Sequence, residues 1–414
     1  MATNQTVPDV VPSSHRSRWR WRRNWLAYVP LVPYVVWLMI RHRSPTVFTA
    51  ANPGIATGGT VGESKVTTLT WIERAGGPVA EFCLVEPHSA CGARVLAATR
   101  KMKEMCVTFP IIVKPDVGEQ GWGVALICSP RGMERYFGCM PGAVIVQRYL
   151  PGIEAGIFYM RRPGAERGRI LSISESIHHL RVPHDHCPDE APSIVFGFTC
   201  HDAEYRDALH CNSPQLERAI DALSRAVPGF FLGRFDVRAG SVDELQRGEF
   251  SVIELNGVLS EPTQIYDPTT SFAQACATLM RHWRLAFEIG AENRARGIVP
   301  ARLRELVALT AAKIWRQASA RHLRKLARTS LDAVSTAVNS NPPRMNCRRP
   351  LRSHASAVSR RQASRWVAMI RWAVCSASRG RYIGCTRSRL SKACCRFCSF
   401  KELTTPERLA HGDL

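Results

Sequence analysis

Acidic residues are scarce in this chain. Its 414 residues hold 34 Asp plus Glu against 56 Lys plus Arg, a formal net charge of +22. The shortage is uneven, because residues 316–414 carry 21 basic and only 4 acidic side chains. Most of the excess charge therefore sits in the last quarter, and a uniformly basic nucleic-acid-binding enzyme is excluded. Through most of that tail there are few aromatics to interleave with the arginines, which weakens a stacking, single-strand-binding reading. An apolar run of full membrane-spanning length is also missing. The most apolar stretch, WLAYVPLVPYVVWLMI at 25–40, has 16 residues and contains Pro30 and Pro33. A spanning helix needs about 20. No secretory signal with a small-residue cleavage site is present. The 15 cysteines are an odd number without regular spacing. This implies no disulfide framework and points to reduced thiols in the cytoplasm.

What is present is a composition able to fold. The 45% apolar content excludes wholesale disorder, and the length suits two or three domains. Residues 1–44 read as a basic and hydrophobic N-terminal segment. Arg16, Arg18, Arg20, Arg22 and Arg23 alternate with Trp19 and Trp21 before the apolar stretch, and Arg41, His42 and Arg43 follow it. That stretch suits a helix buried on the protein's own core. It also suits an anchor on the inner membrane's surface through 16–43, or a short span.

Residues 45–108 read as an α/β unit. Gly58 and Gly59 mark a loop, Glu63 or Ser64 opens a helix near Lys65, and a strand over 79–87 precedes a helix over 92–105. From 109 to 297 strands predominate, at 109–114, 124–128, 143–150, 156–161, 169–174, 230–238 and 250–255. Helices are expected at 214–227 and 271–288. Many strands with few helices indicate an α+β fold. Residues 298–414 read as a basic, irregular tail, with a basic helix pair over 300–327. Beyond 329 its Arg, Ser, Ala and Cys bias is what an out-of-frame reading of a GC-rich gene would produce.

Three segments carry candidate chemistry. In FPIIVKPDVGEQGWGVALI a strand delivers Lys114 to a loop holding Gly118, Gly121 and Gly123. Such a hairpin can fold over polyphosphate because no Cβ keeps its N–H groups away. It also suits an ordinary turn. In IVQRYLPGIEAGIFY, Gln147 ends a strand that can read an adenine edge, and Glu154 can accept both ribose hydroxyls. A plain surface carboxylate is the simpler reading of Glu154. In FFLGRFDVR and FSVIELNG the strand period of two puts Arg234 with Asp236, and Glu254 with Asn256. Two carboxylates and an amide are hard oxygen donors suited to Mg²⁺ completed by phosphate oxygens, and Arg234 can steady charge on a transferring phosphoryl group. Simple ion pairing of Arg234 with Asp236 is the alternative. The His and Cys residues between 176 and 212 follow no zinc-ligand spacing.

Taken in order, Lys-Pro with its glycine loop, Gln147 with Pro-Gly-x-Glu154, Arg234-x-Asp236 and Glu254-x-Asn256 resemble the ATP-grasp superfamily, and within it the D-alanine–D-alanine ligase-like branch. The resemblance covers about 46–297. It extends to bacterial members of undefined substrate that share the WLAYVPLVPYVVWLMIRHRSPT and NPGIATGGTVGESK openings. It implies two α+β lobes holding ATP between them, behind a truncated α/β domain. It implies an ADP-forming ligase that activates a carboxylate as an acyl phosphate for attack by an amine or thiol. Arg234 would be catalytic. Lys65, Lys114, Gly118, Gly121, Gly123, Gln147 and Glu154 would bind ATP, and Asp236, Glu254 and Asn256 would bind Mg²⁺, with two ions expected and Mn²⁺ as a substitute. Partners would be a small carboxylate and an amine, and no specific nucleic acid.

Three departures stand out: Gln147 replaces the family's usual Glu, residues 176–212 match nothing in the family's pattern, and no lysine occurs between Lys114 and Lys313. The missing lysine and the 176–212 stretch favour, as an alternative, an impaired ATP-binding protein attached to a membrane, and the basic tail offers a more remote one, nucleic-acid binding.

Overall fold

The computed structural model describes residues 26–314 apart from 89, 120, 141, 179–193 and 197–202. The expected tail beyond 314, the first 25 residues and most of the His/Cys-rich stretch lie outside those residues.

Two five-stranded antiparallel sheets make up the frame. The first has the order β1-β4-β2-β3-β7, with β1 Phe82–Val85, β2 Ile111–Pro115, β3 Ala125–Ile127, β4 Val144–Arg148 and β7 Ile194–Phe196. The second has the order β10-β9-β5-β6-β8, with β5 Ile153–Met160, β6 Arg169–His178, β8 Ala203–Asp207, β9 Leu232–Ala239 and β10 Ser251–Asn256. The α+β reading therefore holds: among the described residues every ladder between strands is antiparallel.

Helices α1 (Tyr28–Arg41), α2 (Lys65–Arg74), α3 (Cys91–Glu104), α4 (Pro130–Cys139), α5 (Pro214–Ala226), α6 (Val242–Arg247) and α7 (Phe272–Ala295) cover these sheets. A further helical segment runs over 303–314. Helix α7 outruns the expected 271–288 by two turns. Helix α4 was not foreseen, although Ser129 caps it through the Gly132 N–H and Pro130 opens it. That arrangement suits a helix start, because the first N–H groups lack intrahelical partners. From within the expected 45–108 unit, β1 pairs with β4 and α3 packs with α4, so both complete the core of the first sheet.

The second sheet is buried on one face along β5, β9 and β10. Strand β9 alternates, sending Phe235, Val237 and Ala239 into a core shared with Leu69 and Ile72 of α2 and Leu216, Ile220 and Leu223 of α5. Its other face is divided. One half packs under α7 and the short 3₁₀ turn Val47–Ala51, through Phe158, Leu232, Val47 and Phe287. The other half stays open towards the first sheet and carries Arg234, Asp236 and Arg238. Buried Asn52 ties the glycine-rich loop to the start of β9, accepting from the Phe231 and Leu232 N–H groups and donating to the Leu232 and Gly58 carbonyls. Gly59 has φ of +78°, and a Cβ there would stand 2.4 Å from the Gly257 Cα. The Gly58–Gly59 pair thus lets this loop lie directly against the end of β10, where the Val258 and Leu259 N–H groups reach its carbonyls.

His282 of α7 supports the same point from behind. Its Nε2 lies 2.9 Å from the Val258 carbonyl, and burial lowers its pKa from 6.5 to about 4. The folded chain thus refuses a proton that the unfolded chain accepts below about pH 6.5. Stability should be intact above that pH and fall as pH drops towards 4, by about 3 kcal/mol in total. Urea unfolding of wild type and His282→Gln across pH 4–7 checks this: the variant should lose most of that slope.

Candidate functional site

The open half of the second sheet and one face of β2 and β4 in the first enclose a cleft with a cavity of about 170 Å³. Its geometry follows from a bulge in β10. The register runs Val252 opposite Val237, then Glu254 opposite Asp236 and Asn256 opposite Arg234, so Ile253 is the extra residue. An unbroken ladder would turn Glu254 to the core. With the bulge, Glu254, Asp236, Asn256 and Arg234 share the cleft face.

The bulged Ile253 carbonyl is the junction between the sheets. Lys114, from β2, donates to it at 2.8 Å, and the Gln147 amide, from β4, donates at 3.4 Å. The same Lys114 ammonium lies 3.9 Å from Glu254, and that of Lys65 lies 3.6 Å from it. Two lysines from distant parts of the chain therefore meet one carboxylate. Burial lowers the Lys114 pKa, while Glu254 opposes the shift.

Lys65 is carried by α2, whose N-cap is Ser64, one of the two expected helix openers. Asp116 directly follows Lys-Pro and completes this helix start. It accepts from the Ser64 hydroxyl and the Val66 N–H, both at 2.9 Å. A carboxylate there satisfies free N–H groups and favours the helix dipole.

The expected glycine loop divides by role. Gly121 lines the cleft. The Gly118 carbonyl accepts from Lys65. Gly123 has φ of +79° and packs against Pro115, with its carbonyl accepting from the Tyr136 hydroxyl. It shapes the hairpin rather than the cleft. Glu119 of the same loop pairs with Lys313 of the 303–314 helix.

Gln147, Arg148, Tyr149 and Leu150 line one end of the cleft with Ile112 and Ile253. Glu154 faces it from β5 and pairs with Arg238 at 2.8 Å, and Arg238 also donates to the Leu150 carbonyl and lies over the Tyr149 ring. Arg234 grips Asp236 with two bonds, of 2.6 and 3.1 Å, and Asn256 donates to Asp236 at 2.9 Å. Burial pushes the Asp236 carboxyl up, and Arg234 works against that push. For Arg234 burial disfavours the charge, but Asp236 overrides it and the pKa rises.

Beyond Arg234 the cleft is lined by Ser176, Tyr205 and Thr263. Arg234 also donates to the Glu261 carbonyl, and the Glu261 carboxylate accepts from the Tyr28 and Tyr266 hydroxyls. Bare Gly156 makes this crossing possible, because a Cβ there would meet the Arg234 side chain at 3.1 Å.

The structure thus brings together Lys65, Lys114, Gly121, Gln147, Glu154, Arg234, Asp236, Glu254 and Asn256. Gly118 joins only through its carbonyl, and Gly123 stands behind. Sequence reasoning missed Arg238, although it continues the alternation of Arg234 and Asp236. It also missed Tyr205, Thr263 and Glu63. Glu63 accepts from the Gly257 N–H, and burial raises its carboxyl to about 7 against the pull of Lys65. Among the described residues no group of three or more His, Cys, Asp and Glu side chains could hold a metal ion. Of the His/Cys-rich stretch, His210 and Cys211 fall in the 3₁₀ turn Leu209–Cys211, and most of the others lie outside the described residues.

No family model matches the chain, and no curated protein matches it. Among solved structures it is similar to the VanG D-Ala:D-Ser ligase from Enterococcus faecalis, at 15% identity and a TM-score of 0.35, over 53% of this chain and 61% of that one. It is also similar to the D-alanine–D-alanine ligase from Bacillus anthracis complexed with ATP, at 13% identity and 0.37, over 56% and 67%. A third is the D-cycloserine synthetase DcsG, at 17% identity and 0.36, over 54% and 69%. The chain thus spans about three fifths of the length of VanG.

The Asp116 cap gives a direct test of how Lys65 is positioned. Asp116→Ala should cost about 1 kcal/mol, up to ~2, in urea unfolding. Asp116→Asn, which keeps one acceptor oxygen, should fall between the two. Equal stability of all three would remove Asp116 from this role.

Proposed function

We propose that the cleft binds ATP with Mg²⁺ and that the chain is an ATP-grasp-type, ADP-forming ligase joining a small carboxylate to an amine or thiol. The observation that carries this reading is the meeting of Lys65 and Lys114 at Glu254, within a cleft that also holds Asp236, Asn256 and Arg234. A metal fits these donors. Glu254, Asp236 and the Asn256 amide supply hard oxygens without a histidine or thiolate, and phosphate oxygens complete such a set for Mg²⁺. Burial already makes the Asp236 charge costly, which a cation would relieve. When bound, the metal would screen the triphosphate charge.

In this reading Lys65, Lys114 and the Gly121 turn hold phosphate oxygens. The Gln147–Leu150 strand end faces the base, and Glu154 accepts from the ribose with Arg238 holding its carboxylate in place. A substrate carboxylate oxygen attacks the terminal phosphorus, the bond to ADP breaks, and an acyl phosphate forms. The amine or thiol then attacks the acyl carbon, loses its proton and expels inorganic phosphate. Arg234 steadies negative charge in both steps. The chain supplies position and charge rather than a nucleophile, and binding between the two sheets would keep water from the acyl phosphate.

A second reading, nucleotide binding without turnover, is favoured by the two-pronged Arg234–Asp236 pair and by the lack of any lysine between Lys114 and Lys313. Nucleic-acid binding through the tail falls outside the described residues.

Glu254→Gln tests the proposal. It should weaken Mg²⁺-dependent ATP binding by at least about 100-fold, since outer-shell changes alone cost about 10–100-fold, while the circular dichroism spectrum stays unchanged. Isothermal titration with and without EDTA reads this, and unchanged affinity would sink the proposal. Mixed carboxylates and amines should release ADP from the wild type. Tight ATP binding with no ADP release would favour the second reading.

A further inference from the structure

Helix α1 presents an unusual surface, apolar on both sides. At about 100° per residue, Ala27, Leu31, Tyr34, Val35 and Leu38 gather on one side, where they pack against the protein. The opposite side is a stripe of Val29, Val32, Val36, Trp37 and Ile40, which are 58, 63, 47, 48 and 71% exposed. Single exposed apolar residues need no explanation, but a contiguous helical stripe of large ones marks a docking surface. From this stripe we propose that α1 seats the protein on an anionic lipid surface, lying along the membrane without crossing it.

Three observations choose this occupant. The first is length: 14 residues make a helix of about 21 Å, short of the ~30 Å hydrocarbon layer, and no helix among the described residues is long and apolar enough to cross a membrane. The second is charge. Arg16, Arg18, Arg20, Arg22 and Arg23 precede the helix in sequence, and Arg41 and Arg43 follow it. The helix itself bears no acidic residue. Arg41 and Arg43 at the end of an acid-free apolar stripe, with an arginine-rich sequence before it, match a shallowly buried helix on anionic headgroups. The third is the aromatic content. Trp37 lies on the stripe with the Arg41 guanidinium over its ring, 5.5 Å from the centroid, which places an indole and a cation together at headgroup depth. The chain's own basic tail lacks an apolar periodicity to match this stripe. A second copy of the chain would set the like-charged arginine-flanked faces against each other.

The surface is linked to the candidate site. Tyr28, on the first turn of α1, donates to the Glu261 carboxylate, and Arg234 donates to the Glu261 carbonyl. Seating α1 would therefore bring the Ser176–Tyr205–Thr263 end of the cleft close to the lipid–water boundary.

Vesicle flotation of the full chain tests the inference. At about 0.1 M salt the protein should float with phosphatidylcholine–phosphatidylglycerol vesicles and at least ten-fold less with phosphatidylcholine alone. The double variant Val32→Glu/Val36→Glu should lose flotation at least ten-fold with an unchanged melting curve. Should it fail to fold, the exposed single change Ile40→Gln should lower flotation at least two-fold. No flotation with anionic vesicles would overturn the inference. Undiminished flotation of the variants would do so as well, by assigning binding to the basic tail. A dimer in light scattering that these variants split, without vesicles, would make the stripe an interface between copies and overturn it too.

Discussion

One extra residue in β10 holds the candidate site together. Opposite Asp236 the ladder skips Ile253, and two consequences follow from that skip. Glu254 turns out of the core and joins Asp236 on the cleft face. The Ile253 carbonyl becomes the shared acceptor for Lys114 and Gln147, which arrive from the other sheet. A buried ammonium is costly unless it finds both an acceptor and a counter-charge. Lys114 finds both on consecutive residues of β10. The two sheets thus join where the cleft is most highly charged.

The charges inside the cleft are arranged as pairs. Lys65 and Lys114 face Glu254, Arg234 faces Asp236, and Arg238 faces Glu154. Each pair lowers the desolvation cost that its members would carry alone. Under the proposed function, a polyphosphate and a divalent cation entering together would exchange these partners, the lysines turning to phosphate and the carboxylates to the metal, so that no buried charge is left unpaired. Glu63, near neutrality beside Lys65, adds a carboxyl to the same neighbourhood.

Much of this was legible. The alternation in FFLGRFDVR and the Glu-x-Asn run placed four polar side chains on strand faces correctly, because a period of two is a local property of an extended chain. A helix start at Glu63 or Ser64, just before Lys65, was legible for a similar reason. Other features were not. Strand β8 lies in a stretch without strong alternation, and Tyr205 reaches the cleft only because β8 pairs with β6. Helix α6 is a single capped turn and a half, too short for periodicity to reveal. The Ser129–Pro130 start of α4 follows a local capping pattern.

By itself the sequence determined which side chains share a strand face, where helices begin, and which segments carry cations, carboxylates and glycine turns. These depend on neighbours a few residues away. Only the tertiary structure decided that Glu254 points into the cleft rather than the core. It alone decided that Lys65, 49 residues before Lys114, meets the same carboxylate, and that Tyr28 of the apolar α1 reaches Glu261. Those outcomes depend on a bulge and on the packing of remote elements. Both are set by the burial of the whole sheet, which no local pattern encodes.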